Sequence, residues 1–319
     1  MIVLKFVKGF IVKKVLFIII CLFLTSMYAK DIGIAWVGKS SMQDDILKGF
    51  LLQTKIFKNK FNIEIKKELK TLDDLKNLTQ QWDTKKDGMI LLRSSAAKML
   101  SYTKTNIPTF IGGSNHPIAL GAVNNTLSPQ GNITGVTYYI SKKTTLKMIN
   151  LFLPNIKSIL FLGEKGHFST PIEQEETQRI LKNDYKVEYK EFISDNLHDI
   201  LNEVKNKKDQ VAAIILGNQA LIFDNANSII KIAENIPVFS YSKSALKNGA
   251  LAGYVADDVK LGKELAKSVY SVLFNGKKIK EVSIKVDNNP VFYVNKRTLD
   301  NLHLEIPFRL NNKVVFINK

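Results

Sequence analysis

Residues 31–69 read DIGIAWVGKSSMQDDILKGFLLQTKIFKNKFNIEIKKEL. The stretches at 32–37 and 63–69 are rich in apolar and β-branched residues, which predicts two strands. Between them, the amphipathic stretch at 44–57 predicts a helix. A strand, a helix and a second strand in this order are typical of parallel strands joined by a crossover helix.

The same alternation continues along the chain and predicts an α/β fold of two doubly wound parallel-sheet lobes. Further strands are predicted at 88–92, 108–111, 159–162, 187–192, 212–216 and 237–241. Further helices are predicted at 72–82, 142–151, 173–182, 197–205 and 227–234.

Between the two sets, the segment GNITGV at 131–136 predicts a strand that crosses from one lobe to the other. A last helix is predicted at 259–274. We expect three such crossings to form a hinge, with residues 30–136 and 258–280 in the N-terminal lobe and residues 137–257 and 281–319 in the C-terminal lobe.

Residues 1–29 have the layout of a secretory signal peptide. An acid-free basic start precedes the apolar run VLFIIICLFL at 15–24, and the polar pair Lys30-Asp31 follows Ala29. A run of this length suits a signal peptide, whereas a membrane span needs about 20 apolar residues. We expect a periplasmic or extracytoplasmic protein after cleavage, or a membrane-anchored protein if the signal is retained.

The single cysteine, Cys21, lies within that apolar run, so we expect the mature protein to be held by a hydrophobic core and not by disulfides. The whole chain has a net charge of +17. A nucleic-acid binder concentrates such charge in a stripe with interleaved aromatic residues. Here the lysines are spread in ones and twos, which indicates a solvated surface and no nucleic-acid partner. Attraction to an anionic membrane surface or an acidic partner is the alternative.

The stretch GIAWVGKS at 33–40 has the spacing of an NTP-binding loop. Such a loop follows a strand, whereas here the residues between the glycines are the predicted strand itself. The four histidines lack metal-ligand spacing, and the sequence has no nucleophile elbow. We therefore expect neither nucleotide hydrolysis nor another enzymatic activity, and no metal or cofactor.

Ligands of open α/β sheets bind beyond the carboxyl ends of the strands, so two facing lobes form a cleft from the loops that follow the strands. Arg93 ends an apolar run and precedes Ser94-Ser95 at a helix start, which suits a ligand carboxylate. An exposed arginine or an inter-lobe salt bridge is the alternative. His116 and His167 also fall in such loops.

Three aromatic residues are candidates for a flat apolar wall of the cleft: Trp36, Tyr241 and Tyr254. Trp36 lies within a predicted strand and is equally suited to the core. Tyr241 lies at a strand end and is the better candidate, so we expect the apolar body of the ligand to pack against it.

Several stretches resemble a known family. They are Ile107-Pro108 with GGSNHP at 112–117, SPQGNITGV at 128–136, KNGALAGY at 247–254, NGKKIKEVSIKV at 275–286 and NKRTLDNLHLEIP at 295–307. They are similar to ABC transporter substrate-binding proteins that include tryptophan and other aromatic amino-acid binders, built on the type I periplasmic binding protein fold. The resemblance covers nearly the whole mature chain.

The resemblance implies that the strand-end loops line the pocket. With Arg93 and His116 added, the candidate ligand-binding residues are Ser40, Ser41, Arg93, Ser94, Ser95, Asn115, His116, Ser169, Thr170, Asn218, Tyr241 and Ser242. His116 stands where the family has an acidic residue and Arg93 where it has a small one. These departures imply a ligand more anionic than a plain aromatic amino acid.

The expected function is that of an extracytoplasmic, monomeric solute-binding protein of an ABC-type uptake system. It captures an amino-acid-like molecule or an aromatic acid by hinge closure and presents it to a membrane permease. The alternative is a ligand-sensing protein that signals to a membrane sensor kinase or cyclase. A secreted enzyme would need a catalytic set in the cleft, and a DNA-binding regulator would need an N-terminal helix-turn-helix.

Overall fold

The structure is a computed structural model that describes residues 29–58 and 60–317. Most of the predicted signal peptide, with Cys21, lies outside the described residues. Within the described part, no helix is both long enough and apolar enough to cross a membrane.

The described chain alternates strands and helices. The strands are β1 (Lys30–Val37), β2 (Phe61–Leu69), β3 (Gly88–Leu92), β4 (Thr109–Ser114), β5 (Ile133–Thr137), β6 (Ser158–Glu164), β7 (Glu188–Ser194), β8 (Ala213–Leu216), β9 (Val238–Phe239), β10 (Ala252–Val255), β11 (Lys285–Val286), β12 (Val291–Asn295) and β13 (Val314–Ile317). The α-helices are α1 (Ser41–Ile56), α2 (Leu72–Trp82), α3 (Ser94–Leu100), α4 (Lys142–Phe152), α5 (Thr170–Ile180), α6 (Leu197–Lys207), α7 (Ala220–Asp224), α8 (Ala226–Ala233), α9 (Lys243–Lys247), α10 (Asp258–Leu273) and α11 (Lys296–Asn301).

The first lobe is built on a six-stranded sheet in the order β11-β5-β4-β3-β1-β2, with parallel pairing throughout. Residues of β3 show why its sequence is continuously apolar. Ile90 and Leu92 pack under α1 and α10 on one face, and Met89 and Leu91 pack under α2 and α3 on the other. A strand buried on both faces needs apolar residues at every position.

The second lobe is built on a seven-stranded sheet in the order β13-β12-β10-β9-β8-β6-β7. All its pairs are parallel except β10 with β12. Helices again cover both faces, with α4 on one side and α6 and α8 on the other. Two doubly wound α/β lobes confirm the predicted fold class.

Some elements were not predicted, and β10 and β12 show why. β10 reads AGYV, too short and too glycine-containing for a clear strand pattern. β12 follows β11 without a helix between them and pairs antiparallel with β10, so the alternation of strands and helices gives no sign of it. These strands form through their neighbours in the sheet.

Three short segments cross between the lobes, at 138–141, 256–257 and 287–290. We predicted that the chain leaves the first lobe after residue 280. Instead, Lys285 and Val286 pair with Val136 and Thr137 of β5, which keeps the chain on the first sheet up to Val286. The other lobe boundaries stay predictions.

The side chain of Asp287 ties two of these crossings together. Its carboxylate accepts hydrogen bonds from the backbone N–H of Asp257 at 2.9 Å and of Asn289 at 3.1 Å, and from Lys260 Nζ at 2.7 Å. Burial of Asp287 would raise its pKa, but these donors together hold the pKa below its usual value. The second and third crossings therefore share one buried anchor.

Helices α1 and α10 lie against each other through two glycines. A Cβ on Gly49 would lie 2.0 Å from the carbonyl oxygen of Val259, and a Cβ on Gly262 would lie 2.0 Å from the carbonyl oxygen of Ile46. Only glycine permits this backbone approach. The contact fixes α10, which follows five strands of the second sheet in the chain, onto the first lobe.

We expect Gly262→Ala to lower the free energy of unfolding by about 1–3 kcal/mol, because overpacking at the helix contact outweighs the gain in helix propensity of about 1 kcal/mol. Urea unfolding followed by circular dichroism measures this change. Lys263→Ala, on the exposed side of the same helix, is the control and should change little. A Gly262→Ala protein as stable as the wild type would contradict the close contact.

Candidate functional site

A cavity of about 320 Å³, here the main cavity, lies between the lobes. Its first-lobe wall comes from α1, the loop after β4 and the start of α10, and its second-lobe wall from α4, α9 and the loops after β8 and β9. Its lining residues are Ser41, Met42, Asp45, Asn115, Tyr138, Ile140, Lys142, Asn218, Tyr241, Ser242, Lys243, Ser244, Lys247, Val255, Ala256 and Asp258. Both lobes and two crossings contribute to it.

A smaller cavity of about 120 Å³, here the side cavity, adjoins the main cavity. It adds Lys39, Ser40, Arg93, Ser94 and His167 from the strand-end loops. The two cavities share wall residues, namely Ser41, Met42, Tyr138, Asn218, Ser242 and Ser244. They are therefore neighbouring parts of one cleft.

The structure brings most of the predicted ligand-binding residues to this cleft. Those that line one or both cavities are Ser40, Ser41, Arg93, Ser94, Asn115, Asn218, Tyr241 and Ser242. Ser95, His116, Ser169 and Thr170 are not among the wall residues. Ser169 Oγ accepts from Gln219 Nε2 at 3.4 Å, and Thr170 Oγ1 donates to the carbonyl oxygen of Glu164 at 2.7 Å. Ligand contact by any of the twelve stays a prediction.

Arg93 precedes α3 with a φ of 82°. A non-glycine residue in such a conformation costs on the order of 1–3 kcal/mol. Its Nη1 donates to the carbonyl oxygens of Val37 at 2.6 Å and Lys39 at 3.5 Å, at the carboxyl end of β1. Burial lowers the pKa of Arg93. The guanidinium thus hydrogen-bonds to the backbone of its own lobe, and Arg93 also lines the side cavity.

His116 lies at the hinge, outside the walls of both cavities. Its ring packs edge-on against Tyr139 with centroids 4.7 Å apart, and its Nε2 is 3.9 Å from Oε2 of Glu176 on α5. Burial, together with the nearby charge of Lys142, lowers the pKa of His116 to about 4. The imidazole is therefore neutral at pH 7 and forms no ion pair with Glu176. It adds no positive charge to the cleft.

Lys142 and Glu173 form a buried ion pair beneath the second-lobe wall, which the sequence did not reveal. Lys142 Nζ lies 3.2 Å from Oε2 of Glu173 and 2.5 Å from the hydroxyl oxygen of Tyr241. Burial opposes the charge on Lys142, but Tyr241 and Glu173 raise its pKa above the usual value. Glu173 also accepts from the backbone N–H of Asn218 at 3.2 Å and from Gln219 Nε2 at 3.3 Å. The network fixes the Tyr241 ring in the wall.

The position of Glu173 on its helix carried a signal for this burial. Glu173, Thr177 and Ile180 are spaced by four and three residues on α5 and are all buried. Such spacing places them on one face of a helix, the face toward the sheet. A charged residue on that face requires a buried partner.

Asp258 is the first residue of α10, one position before the helix predicted at 259–274. The structure assigns capping to Asp257, whose side chain accepts from the backbone N–H of Lys260 at 2.9 Å. Asp258 instead lines the main cavity, and its Oδ1 is buried without a hydrogen-bond partner among the described residues. Burial first, then the nearby carboxylates of Asp45, Asp257 and Asp287, raise the pKa of Asp258 to about 8.

The strand-end rule would have found Asp258, because it follows β10 within three residues. Because β10 was not predicted, the strand-end rule did not lead to Asp258. The acidic pair of Asp45 and Asp258 is therefore a feature that the contact between α1 and α10 brings to the cleft.

Of the three aromatic residues predicted for the wall of the cleft, only Tyr241 lines the main cavity. Tyr138 from the first crossing joins it. Trp36 is fully buried in the core under α1. Tyr254 packs against Phe292 with centroids 4.9 Å apart and does not line the main cavity. Gly33 lies inside β1, so the stretch at 33–40 does not form a phosphate-binding loop.

Known proteins are similar to this chain in sequence or in structure. A tyrosine-binding protein of Clostridioides difficile (strain R20291) is 23% identical over 284 residues, which are 86% of this chain and 81% of that protein. The crystal structure of an ABC domain in complex with L-Trp from Streptococcus pneumonia has a TM-score of 0.78 at 20% identity, covering 90% of this chain and 99% of that one.

A second solved structure is the ligand-free, open form of a substrate-binding protein with adhesive properties from Clostridium difficile. It has a TM-score of 0.74 at 19% identity and covers 91% of this chain and 99% of that one. These structures share the type I periplasmic binding protein fold. The family model described as ABC transporter substrate binding protein matches residues 34–314. The chain therefore belongs to the family of ABC transporter substrate-binding proteins.

Proposed function

We propose that this protein captures a small amino-acid-like solute with a flat apolar body, closes on it about the three-segment hinge, and delivers it to an ABC permease. The main cavity carries the proposal, because residues of both lobes line it and two tyrosine rings stand in its walls. The tyrosine-binding relative and the L-Trp complex support the aromatic solute.

The chemistry of the cleft fits such a solute. Tyr138 and Tyr241 offer aromatic faces, and Met42, Ile140 and Val255 add apolar surface. Small-molecule sites combine such surface with a few placed polar groups. Ser94 and Arg93 offer donors for a carboxylate in the side cavity, where we place the acidic group of the solute.

Closure follows from the contributions of the two lobes. A solute that contacts both walls stabilises the closed form, and the population shifts toward it by the difference in binding free energy. Hinge closure around a ligand is the established motion of two-lobed binding proteins. The family supports a permease as the partner and lends no support to the sensor kinase or cyclase. Substrate-binding proteins are extracytoplasmic, which agrees with the predicted signal peptide.

A thermal-shift screen tests the class of solute. We expect L-tryptophan or L-tyrosine to raise the melting temperature of residues 30–319, because a ligand at 100 times its dissociation constant adds about 2.7 kcal/mol of stability. Sugars such as ribose and myo-inositol serve as the comparison. A shift with sugars alone would contradict the amino-acid-like solute.

The ring of Tyr241 is expected to contribute to affinity. Tyr241→Ala should weaken binding of the screened aromatic solute roughly tenfold, equivalent to about 1.4 kcal/mol, because the flat wall is lost. Tyr241→Phe keeps the ring and should lose less. Isothermal titration calorimetry measures both, with Tyr102→Ala, an exposed tyrosine of the first lobe, as the control. Unchanged affinity in Tyr241→Ala would remove the ring from the site.

A further inference from the structure

We infer that Asp258 is the receptor for a protonated amine of the solute, so that this cleft takes a zwitterion or a cation and not a plain acid. The inference rests on the proposed function, since it names the chemistry of a solute bound in the main cavity. It reverses the expectation of a more anionic ligand, which depended on His116 and Arg93.

The first observation is geometric. Asp258 begins α10 and lines the main cavity. Its Oδ1 is buried and accepts no hydrogen bond from any described residue. A buried acceptor without a donor is unfavourable. Because Asp258 lines the main cavity, a solute N–H that donates to its carboxyl group would give this group a partner.

The second observation is the charge around Asp258. Asp45 of α1 lines the same cavity, and Asp257 and Asp287 act on Asp258 from its own segment and from the third crossing. The neighbouring cation Lys260 is bound to Asp287 at 2.7 Å. Four carboxyl groups with one engaged ammonium make this end of the cavity favourable for an added positive charge.

Two lysines of the opposite wall have partners within the second lobe. Lys142 is bound to Glu173 and Tyr241, and Lys243 lies over the ring of Tyr293 at 5.0 Å from its centroid. Lys247 also lines the cavity, from α9. No salt bridge joins Asp258 to a cation among the described residues. The first-lobe end of the cavity, with Asp45 and Asp258, is therefore acidic. On the facing second-lobe wall, Lys142 is already paired with Glu173.

The protonation of Asp258 gives the inference a second consequence. Its pKa of about 8 leaves the carboxyl group neutral at pH 7 in the absence of ligand. A protonated amine stabilises the ionised form, so the carboxyl proton passes to the buffer as the amine binds. Affinity for an amine should therefore rise with pH between 6 and 8, by up to about tenfold per pH unit.

The experiment compares matched pairs of probes on the mature protein. L-tryptophan is paired with indole-3-propionate, and L-tyrosine with 3-(4-hydroxyphenyl)propionate, each pair differing only in the amine. We expect the wild type to bind the amino acid at least about tenfold more tightly than its deamino partner, as for a charge-assisted hydrogen bond. Asp258→Asn should remove this preference, because the amide cannot ionise to pair with the amine.

Asp44→Asn is the matched control. It makes the same substitution on α1, at a residue that is exposed, pairs with Lys67 and does not line either cavity. The preference for the amine should persist in this variant. Titration calorimetry in two buffers of different ionisation enthalpy gives the proton count, expected to be about one proton released per amino acid at pH 7 in the wild type.

The outcomes separate the two proposals. If the deamino acids bind as tightly as the amino acids, or if the wild type releases no proton, Asp258 is not the amine receptor and the proposed function stands. If none of the four probes binds, the proposed function fails and the inference fails with it. Because the proton count uses the wild type, a poorly folded Asp258→Asn protein would not block the test.

The folded state offers an independent check of Asp258. The pKa of Asp258 is higher in the folded state than in the unfolded state. The contribution of Asp258 to the free energy of unfolding is therefore largest at low pH. That contribution is lost as the pH rises from about 4 toward 8. Asp258→Asn should therefore gain stability relative to the wild type as the pH increases across this range. A constant difference would show that Asp258 is not held neutral by its surroundings.

Discussion

Helix α10 touches α1 so closely that each helix needs a glycine at the contact, and the rest of the cleft depends on this approach. Gly49 and Gly262 each leave room for a carbonyl oxygen of the other helix. The chain has already built most of the second sheet when it reaches α10. The contact brings the chain back to the first lobe. This return requires the second and third crossings, places β11 on the first sheet and sets the position of Asp258. A bulkier residue at either position would separate the helices and displace the cavity wall that they form together.

The two walls of the main cavity differ in whether their buried ionisable groups have partners within the protein. On the second-lobe wall, Lys142 is paired with Glu173 and held by Tyr241, so the buried charges are compensated within the protein. On the first-lobe wall, Asp258 has carboxylates as neighbours and a free acceptor atom. A buried polar group needs a hydrogen-bond partner, so the second wall is complete without a solute and the first is not. The hinge lies between them, where Asp287 joins two crossings.

The sequence predicted the buried strands well because their residues are apolar on both faces. β3 and α2 have the bounds predicted for them, 88–92 and 72–82. Prediction failed where an element depends on its neighbours, as for β10 and β12 of the second sheet. The side-chain partners were not predicted. His116 and Arg93 lie in the loops that were predicted for them. His116, however, packs against Tyr139 at the hinge, and Nη1 of Arg93 donates to the carbonyl oxygen of Val37 at the end of β1. Loop position follows from chain order, whereas the direction of a side chain depends on what packs around it.

The sequence by itself determined the α/β class, the two lobes, the family and the loops that border the cleft. Each of these depends on local patterns: hydrophobic runs, helix periodicity and short ordered stretches of residues. Only the tertiary structure decided which charges meet in the cleft. Lys142 and Glu173 are 31 residues apart, and Asp45 and Asp258 are 213 residues apart. Electrostatic interaction depends on distance in space and on burial, and neither quantity can be read from the order of residues along the chain.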